Sequence, residues 1–130
     1  MRFDTRFGEG PFDVTVVLSD MAQLANLVGG FTGLVEEPQF APGMSLLIDC
    51  NSLDVSGLSA DDVRAFAGIT RELFAAADFD CIVAVVPGAE IYGLGRMWQA
   101  HTGDEVAGRS ELVESVESAE RWLESRRLVS

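Results

Sequence analysis

The hydrophobic positions along this chain recur with two periods, one typical of strands and the other typical of helices. "RFDTRF" and "FDVTVVLS" alternate partly with period two, and the "GEGP" between them predicts a hairpin loop. "MSLLIDC" and "CIVAVV" are almost wholly apolar, which is typical of strands whose two faces are both covered. We predict that the first of these ends at Asp49 and that "SELVE" forms one more short strand.

Apolar residues at helical spacing fill the segments between these strands. The first helix is predicted to start from an N-cap at Ser19 or Asp20. Glycines at three positions weaken this helix and allow a neighbouring element to approach it closely, namely Gly29, Gly30 and Gly33. The second helix is predicted to begin at Ser59, where Asp62 completes a capping box with Asp in place of Glu.

A third helix is predicted from about Ala89 to His101, followed by a loop at "GDEVAGR" and a last helix from about Val116 to Arg126. The predicted order is therefore β-β-α-β-α-β-α-β-α, which indicates an α/β fold with a mostly parallel sheet and right-handed crossovers. At 130 residues, we expect a single domain over residues 1–130 with a proper hydrophobic core.

Three stretches, in this order along the chain, resemble one known family. "LLIDC" is similar to a central strand ending in Asp, "AVVPGAEIYGLGRMWQA" to a strand-to-helix segment with Y/F-G-x-x-R-M, and "VESVESAERWL" to a closing A-x-x-W-L segment. The family is that of the SpoIIAA-like, STAS-related domains, and the likeness runs from about Val14 to Leu123. It implies a mixed, mostly parallel sheet with an N-terminal β-hairpin. It also implies a non-catalytic regulatory module without a cofactor, whose partner is another protein or a second copy in a homodimer.

The turn "DVSGL" resembles the D-S-S-G-L turn that carries the phosphorylated serine in the family's anti-sigma-factor antagonists. That resemblance places Ser56 at the phosphoacceptor position, with Val55 where the family has its first Ser. Asp49 also lies closer to Asp54 than the family's spacing requires. A phosphate would be stabilised at a helix N-terminus but opposed by the nearby aspartates. The alternative is that Ser56 is only a turn former.

The charge of the chain narrows the classes of partner. The net charge is −12, and all basic residues are Arg, so nucleic acid and anionic membranes are not expected as partners. No apolar run approaches the length of a membrane span, and the N-terminus lacks a signal-peptide core. We therefore expect a cytoplasmic protein. Cys50 and Cys81 are expected at opposite ends of parallel strands, reduced and buried rather than bridged.

A second function that the sequence leaves open is small-molecule binding near Asp49, Tyr92 and Arg96. Tyr92 and Arg96 lie four residues apart on one predicted helical face. Arg96 could pair with a carboxylate such as Asp49, or bind an anion at the carboxyl edge of the sheet, where α/β folds hold ligands.

An apolar ligand is the other form of this hypothesis. Six large side chains could line a pocket for it or could form an ordinary core, namely Phe31, Phe40, Phe66, Phe74, Met97 and Trp98. An enzyme is not expected, because His101 has no Ser or Cys nucleophile motif beside it and "GLGR" lacks the third glycine of a nucleotide loop. A single His without a paired Cys motif also gives no metal site.

Overall fold

The fold is a mixed five-stranded sheet flanked by helices, and the computed structural model describes residues 1–129. The strands are β1 (Arg2–Phe7), β2 (Val14–Met21), β3 (Ser45–Asp54), β4 (Cys81–Val85) and β5 (Ser110–Val113). The helices are α1 (Leu24–Glu36), α2 (Ala60–Ala77), α3 (Ala89–His101), α4 (Asp104–Ala107) and α5 (Val116–Val129). The predicted α/β class is confirmed.

The strands lie in the sheet in the same order as in the chain. β1 pairs antiparallel with β2, as the predicted hairpin requires, and β2 to β5 are parallel to one another. Right-handed crossovers between strands that advance in one direction place every connecting helix on the same face. Accordingly α1, α2 and α3 pack together on one face of the sheet, and α5 packs on the other.

Each face of the sheet carries its own hydrophobic core. On the first face, alternate residues of β2 and β3 contact the buried side chains of α1 and α2 around Phe31 and Phe74. On the second face, Leu47 and Val83 contact Leu123 of α5, and Phe12 from the β1–β2 loop completes the cluster. The almost wholly apolar sequences of β3 and β4 follow from this covering of both faces.

Two strand boundaries differ from the sequence-based expectation. β3 does not end at Asp49 but runs to Asp54, because residues 52–54 pair with residues 19–21 of β2 beyond an irregularity in the register. Ser19 and Asp20 consequently belong to β2 and cap no helix, and α1 begins after Gln23 instead. The two strands thus extend as a parallel pair past the end of β4.

Helix boundaries are closer to the expectation. The capping box at Ser59 and Asp62 is formed in both directions, and α3 spans the predicted residues. The segment expected as a loop at "GDEVAGR" contains the single-turn helix α4. Cys81 pairs in register with Ser45, so Cys50 lies at the opposite end of the sheet, and both cysteines are free, as predicted.

Close approach of helices to the sheet depends on two glycines. A Cβ at Gly30 would collide with the ring of Phe3, and a Cβ at Gly95 would lie 3.1 Å from Leu112 Cδ1. The expectation of close packing is therefore right for Gly30. It is wrong for Gly29 and Gly33, where a Cβ would meet nothing within 4 Å.

One buried hydrogen bond joins α2 to α3. The indole Nε1 of Trp98 donates to Thr70 Oγ1 at 2.9 Å, and Thr70 in turn donates to the Phe66 carbonyl oxygen at 2.8 Å. The Trp98 ring also packs at a steep angle against Phe74, with 6.1 Å between ring centroids. Thr70 is completely buried, so this contact fixes how close the two helices lie.

Replacing Thr70 by Val keeps the side-chain shape but leaves the Trp98 N–H buried without an acceptor. We expect Thr70→Val to lower the free energy of unfolding by about 1–3 kcal/mol. In a Trp98→Phe background the same substitution is expected to cost much less, because the donor is gone. Chemical denaturation of the four proteins of this double-mutant cycle measures the coupling. Equal costs in both backgrounds would contradict the assigned role of the hydrogen bond.

Candidate functional site

A cleft lies between α2 and α3, above the middle of the sheet. Ile48 and Ala84 are register partners in β3 and β4, and both face the helices. Residues at the centre of a covered parallel sheet are normally fully buried, yet both are only half-buried. The two helices therefore leave part of the sheet uncovered, and the space between them is about 120 Å³.

The walls of the cleft are apolar side chains from the sheet and from three helices. Leu18 and Ile48 form part of its floor, and Phe66 and Trp98 form part of its roof. The helices touch each other at Thr70 and Trp98, in the second half of α3. Ile91 and Leu94, toward the start of α3, line the same space and are half-buried.

Few polar residues line this space, namely Cys50, Ser110 and Glu111, and the register of β5 places the Glu111 side chain on the face that α5 covers. Burial, aided by the negative charge of Asp49, raises the pKa of the Cys50 thiol to about 12, so the thiol is neutral at ordinary pH. The Ser110 hydroxyl donates to the Ala107 carbonyl oxygen and accepts from the Gln99 amide, each at 2.9 Å. The interior of the cleft is therefore suited to an uncharged, apolar group.

Of the six side chains suggested by the sequence as a pocket lining, four line the cleft: Phe31, Phe66, Phe74 and Trp98. Phe40 packs on Phe79 with 5.6 Å between ring centroids, and Met97 packs against the core outside the cleft. Sequence reasoning missed Ile48 and Ala84. The small side chain at position 84, inside an apolar strand, is the one signal that could have pointed to the opening.

Asp49 is not brought together with Arg96 and Tyr92. Asp49 lies two residues after Leu47 in β3, so both side chains are on the face that α5 covers. Helix α3 packs on the opposite face. Its carboxylate Oδ1 accepts from the backbone N–H and the side-chain amide of Asn51, each at 2.9 Å. The expected pairing of Arg96 with Asp49 is therefore wrong, because the sheet lies between them. Arg96 is exposed on α3.

Tyr92 lies in a second, open groove at the carboxyl ends of β4 and β5. The groove has a volume of about 730 Å³ and is lined by Pro87, Gly88, Tyr92, Leu112 and Glu114 among others. The chain passes from β4 to α3 on one face of the sheet and from β5 to α5 on the other face. Ligands of α/β folds favour the place where neighbouring strands are followed by connections on opposite faces. The expectation of a ligand near Tyr92 thus stays a prediction, without Asp49.

The turn between β3 and α2 forms one wall of the cleft. Val55 is buried and, with Leu58, lines the cleft, whereas Ser56 is exposed. The backbone N–H of Ser56 donates to Asp54 Oδ1 at 2.9 Å, and this hydrogen bonding lowers the pKa of the Asp54 carboxyl. Ser56 lies outside the helix, since Ser59 is the N-cap of α2.

Comparisons with protein-family models, curated proteins and solved structures find no match to this chain. Within residues 1–129, no helix combines the length and the apolar character needed to cross a membrane. Among the same residues, no group of three or more His, Cys, Asp or Glu side chains is arranged to hold a metal ion.

The two serines of this region are expected to differ sharply in their effect on stability. Ser59→Ala removes the acceptor for the Asp62 N–H, at 3.0 Å, and should lower the free energy of unfolding by about 0.5–2 kcal/mol. Ser56→Ala leaves the backbone hydrogen bond to Asp54 in place. We expect this substitution to change the free energy of unfolding by less than about 0.5 kcal/mol. Urea denaturation of both variants measures the difference. A larger loss for Ser56→Ala would mean that its side chain has a structural role.

Proposed function

We propose that this protein is a non-catalytic binding protein that holds a small apolar molecule in the cleft between α2 and α3. The observation that carries the proposal is the partial exposure of Ile48 and Ala84 at the centre of the sheet. Apolar side chains surround them, and the lining includes Leu53 and Val86 at the carboxyl ends of β3 and β4, the edge where α/β folds commonly bind ligands.

The energetic argument follows from the size of the cleft. An apolar molecule that displaces water from this space removes apolar surface from water, which is worth about 25 cal/mol per Å². The space of about 120 Å³ has an almost wholly apolar lining, so an apolar molecule of matching size is favoured there. Cavities of about 150 Å³ accommodate benzene, so the cleft matches a single ring or a short alkyl chain.

Binding without turnover is supported by the state of the polar groups on the lining. The Cys50 thiol stays protonated because burial raises its pKa to about 12. The Ser110 hydroxyl is occupied by the Gln99 amide and the Ala107 carbonyl. Neither group is prepared as a nucleophile or a general base.

Filling the cleft tests the proposal directly. Ala84→Leu places additional apolar atoms in the existing space and is expected to raise the free energy of unfolding by up to about 1 kcal/mol. It should also abolish the stabilisation by toluene that we expect for the unaltered protein. The matched control is Ala76→Leu, which adds the same side chain on the exposed side of α2. Thermal unfolding with and without toluene measures both effects.

A toluene-induced shift that persists in Ala84→Leu, or its absence from the unaltered protein, would contradict the proposal. A loss of the shift in Ala76→Leu as well would mean that the effect does not report on the cleft.

The second candidate function is a STAS-related regulatory module in the cytoplasm, with another protein or a second copy as its partner. Its support is the motif resemblance together with the exposure of Ser56 just before the N-cap of α2. A phosphate there would lie near a helix N-terminus, which favours it, and near Asp54, which opposes it. This candidate does not require the cleft to bind anything.

Peptide mass mapping of the protein purified from its own host tests this second candidate. We expect a phosphate on Ser56, and we expect Ser56→Asp to change the oligomeric state measured by sedimentation relative to Ser56→Ala. An unmodified Ser56, together with identical sedimentation of the two variants, would contradict it.

A further inference from the structure

We propose that two copies of this chain pair antiparallel through the free edge of β1, about a twofold axis at Thr5, so that their sheets become continuous. This surface includes neither the cleft nor Ser56, so the inference goes beyond the proposed function and does not depend on it. It comes from the open edge of β1, the order of charges along that edge, and the small residues of α1 beside it.

The edge of β1 is open to pairing. β1 is the outermost strand of the sheet, and within residues 1–129 it pairs with β2 alone. Natural edge strands are often very short or carry a bulge or a proline, because an open edge invites pairing with another chain. β1 is six residues long, its register with β2 is unbroken and it contains no proline, whereas the opposite edge strand β5 has only four residues.

The hairpin determines which backbone groups of β1 point outward. The Gly8 N–H donates to the Asp13 carbonyl oxygen at 2.9 Å, one residue pair beyond the end of the β1–β2 ladder. Opposite residues of antiparallel strands alternate between pairs that exchange hydrogen bonds and pairs that do not. The even-numbered residues of β1 therefore bond to β2, whereas Phe3, Thr5 and Phe7 direct their N–H and C=O groups to the free edge.

The charges along this edge are self-complementary in one register. Arg2, Asp4 and Arg6 alternate in sign along the face of β1 that lies opposite α1. Pairing Thr5 with Thr5 of the second copy matches the outward backbone groups and places Asp4 opposite Arg6 at two symmetric points. These are pairs without mutual hydrogen bonds, in which the side chains lie closest and opposite charges stabilise.

Other registers are disfavoured by the same side chains. A shift of two residues is the smallest that keeps the outward backbone groups matched. In one direction this shift places Asp4 opposite Asp4 of the second copy, and in the other it places Arg6 opposite Arg6. Like charges directly opposite each other destabilise a strand pair, and still larger shifts pair fewer residues.

The charged side chains of the edge are available to a second copy. Within one chain their ion pairs are long, at 3.6 Å between Arg2 and Asp4 and at 3.9 Å between Arg6 and Glu9. Between 43% and 70% of each of these four side chains is exposed. Exposed ion pairs of this kind contribute little to stability, so exchanging them for contacts across the twofold axis costs little.

The other face of the edge is apolar and only partly covered. Phe3 packs edge-on against Phe31 of α1, with 4.9 Å between ring centroids, and both Phe3 and Phe7 are half-buried. In the register centred on Thr5, Phe3 lies opposite Phe7 of the second copy at two symmetric points. Aromatic side chains directly opposite each other stabilise paired strands, and the pairing covers the exposed parts of four rings.

The flank of α1 beside this edge is made of small residues. Gly30 faces Phe3, whereas Phe31 contacts Phe74 of α2 with 5.3 Å between ring centroids. Gly33 follows Gly30 by about one helical turn on the side away from α2, and it is exposed, with nothing within 4 Å of a Cβ placed there. The twofold axis places the two α1 helices side by side on one face of the joined sheet, where glycines let them approach closely.

A charge exchange tests the register. We expect sedimentation equilibrium of the full chain to show a dimer. Asp4→Arg alone and Arg6→Asp alone each place like charges opposite each other at two points, and each should weaken dimerisation roughly tenfold. Asp4→Arg combined with Arg6→Asp restores opposite charges in the register centred on Thr5 and should recover the affinity of the unaltered chain.

A backbone variant tests the pairing itself. Proline is accepted on edge strands where the N–H faces away from the sheet, so Thr5→Pro removes an outward donor and should abolish the dimer. Circular dichroism checks that the variant is folded. The matched control is Thr5→Val, which keeps the backbone N–H and should keep the dimer.

Three results would overturn the proposal: a monomer at the highest attainable concentration, a dimer that persists in a folded Thr5→Pro, or a double charge variant that dimerises no better than the single ones. If Thr5→Pro does not fold, the charge exchange decides alone. Toluene binding in the cleft is measured separately, so failure of the dimer leaves the proposed function standing.

Discussion

The contact between Trp98 and Thr70 is the constraint on which the rest of the helical layer depends. It is a buried hydrogen bond within a packed aromatic group, so it holds α2 and α3 together at one point along their length. At that point the side chains of both residues are buried. Away from it, α3 also approaches β5 through Gly95, where no Cβ separates the helix from Leu112. Between these two anchors, Ile48 and Ala84 stay partly uncovered.

The other walls of the cleft follow from the long strand pair. β2 and β3 continue together past the end of β4, which places Leu18, Cys50 and Leu53 along one side. The turn after Asp54 then directs Val55 and Leu58 inward and Ser56 outward. The segment between Asp54 and Ser59 therefore forms one wall of the cleft and leads into the capping box of α2. It also exposes Ser56, the serine that resembles a phosphorylation site. The two candidate functions use opposite sides of this segment.

The parts of the fold that the sequence predicts well are those set by local interactions. The Ser59 capping box and the apolar stripe of α2 need only neighbouring residues, and both are found in the structure. The end of β3 was predicted wrongly because Asn51, Ser52 and Asp54 are polar turn formers, and the pairing of this segment with β2 is a long-range interaction. Long-range contacts also decide which glycines allow close packing. Gly30 differs from Gly29 only by its contact with Phe3, which the local sequence does not reveal.

Prediction of the site was limited for a similar reason. Four of the six proposed pocket residues line the cleft because large apolar side chains on α1, α2 and α3 converge over one face. The suggested pairing of Asp49 with Arg96 is not formed. The sequence places both residues near one edge of the sheet but does not say on which face each side chain lies. The space itself depends on how α2 and α3 pack across the sheet, which no short motif encodes.

The central claim is that α2 and α3 leave an accessible apolar space above Ile48 and Ala84. A crystal structure determined under xenon pressure tests it most directly, because xenon enters dry apolar cavities. The account predicts a xenon atom between the side chains of Ile48, Ala84 and Phe66. Packing of α3 directly onto Ala84, with both central residues fully buried and no bound xenon, would contradict it.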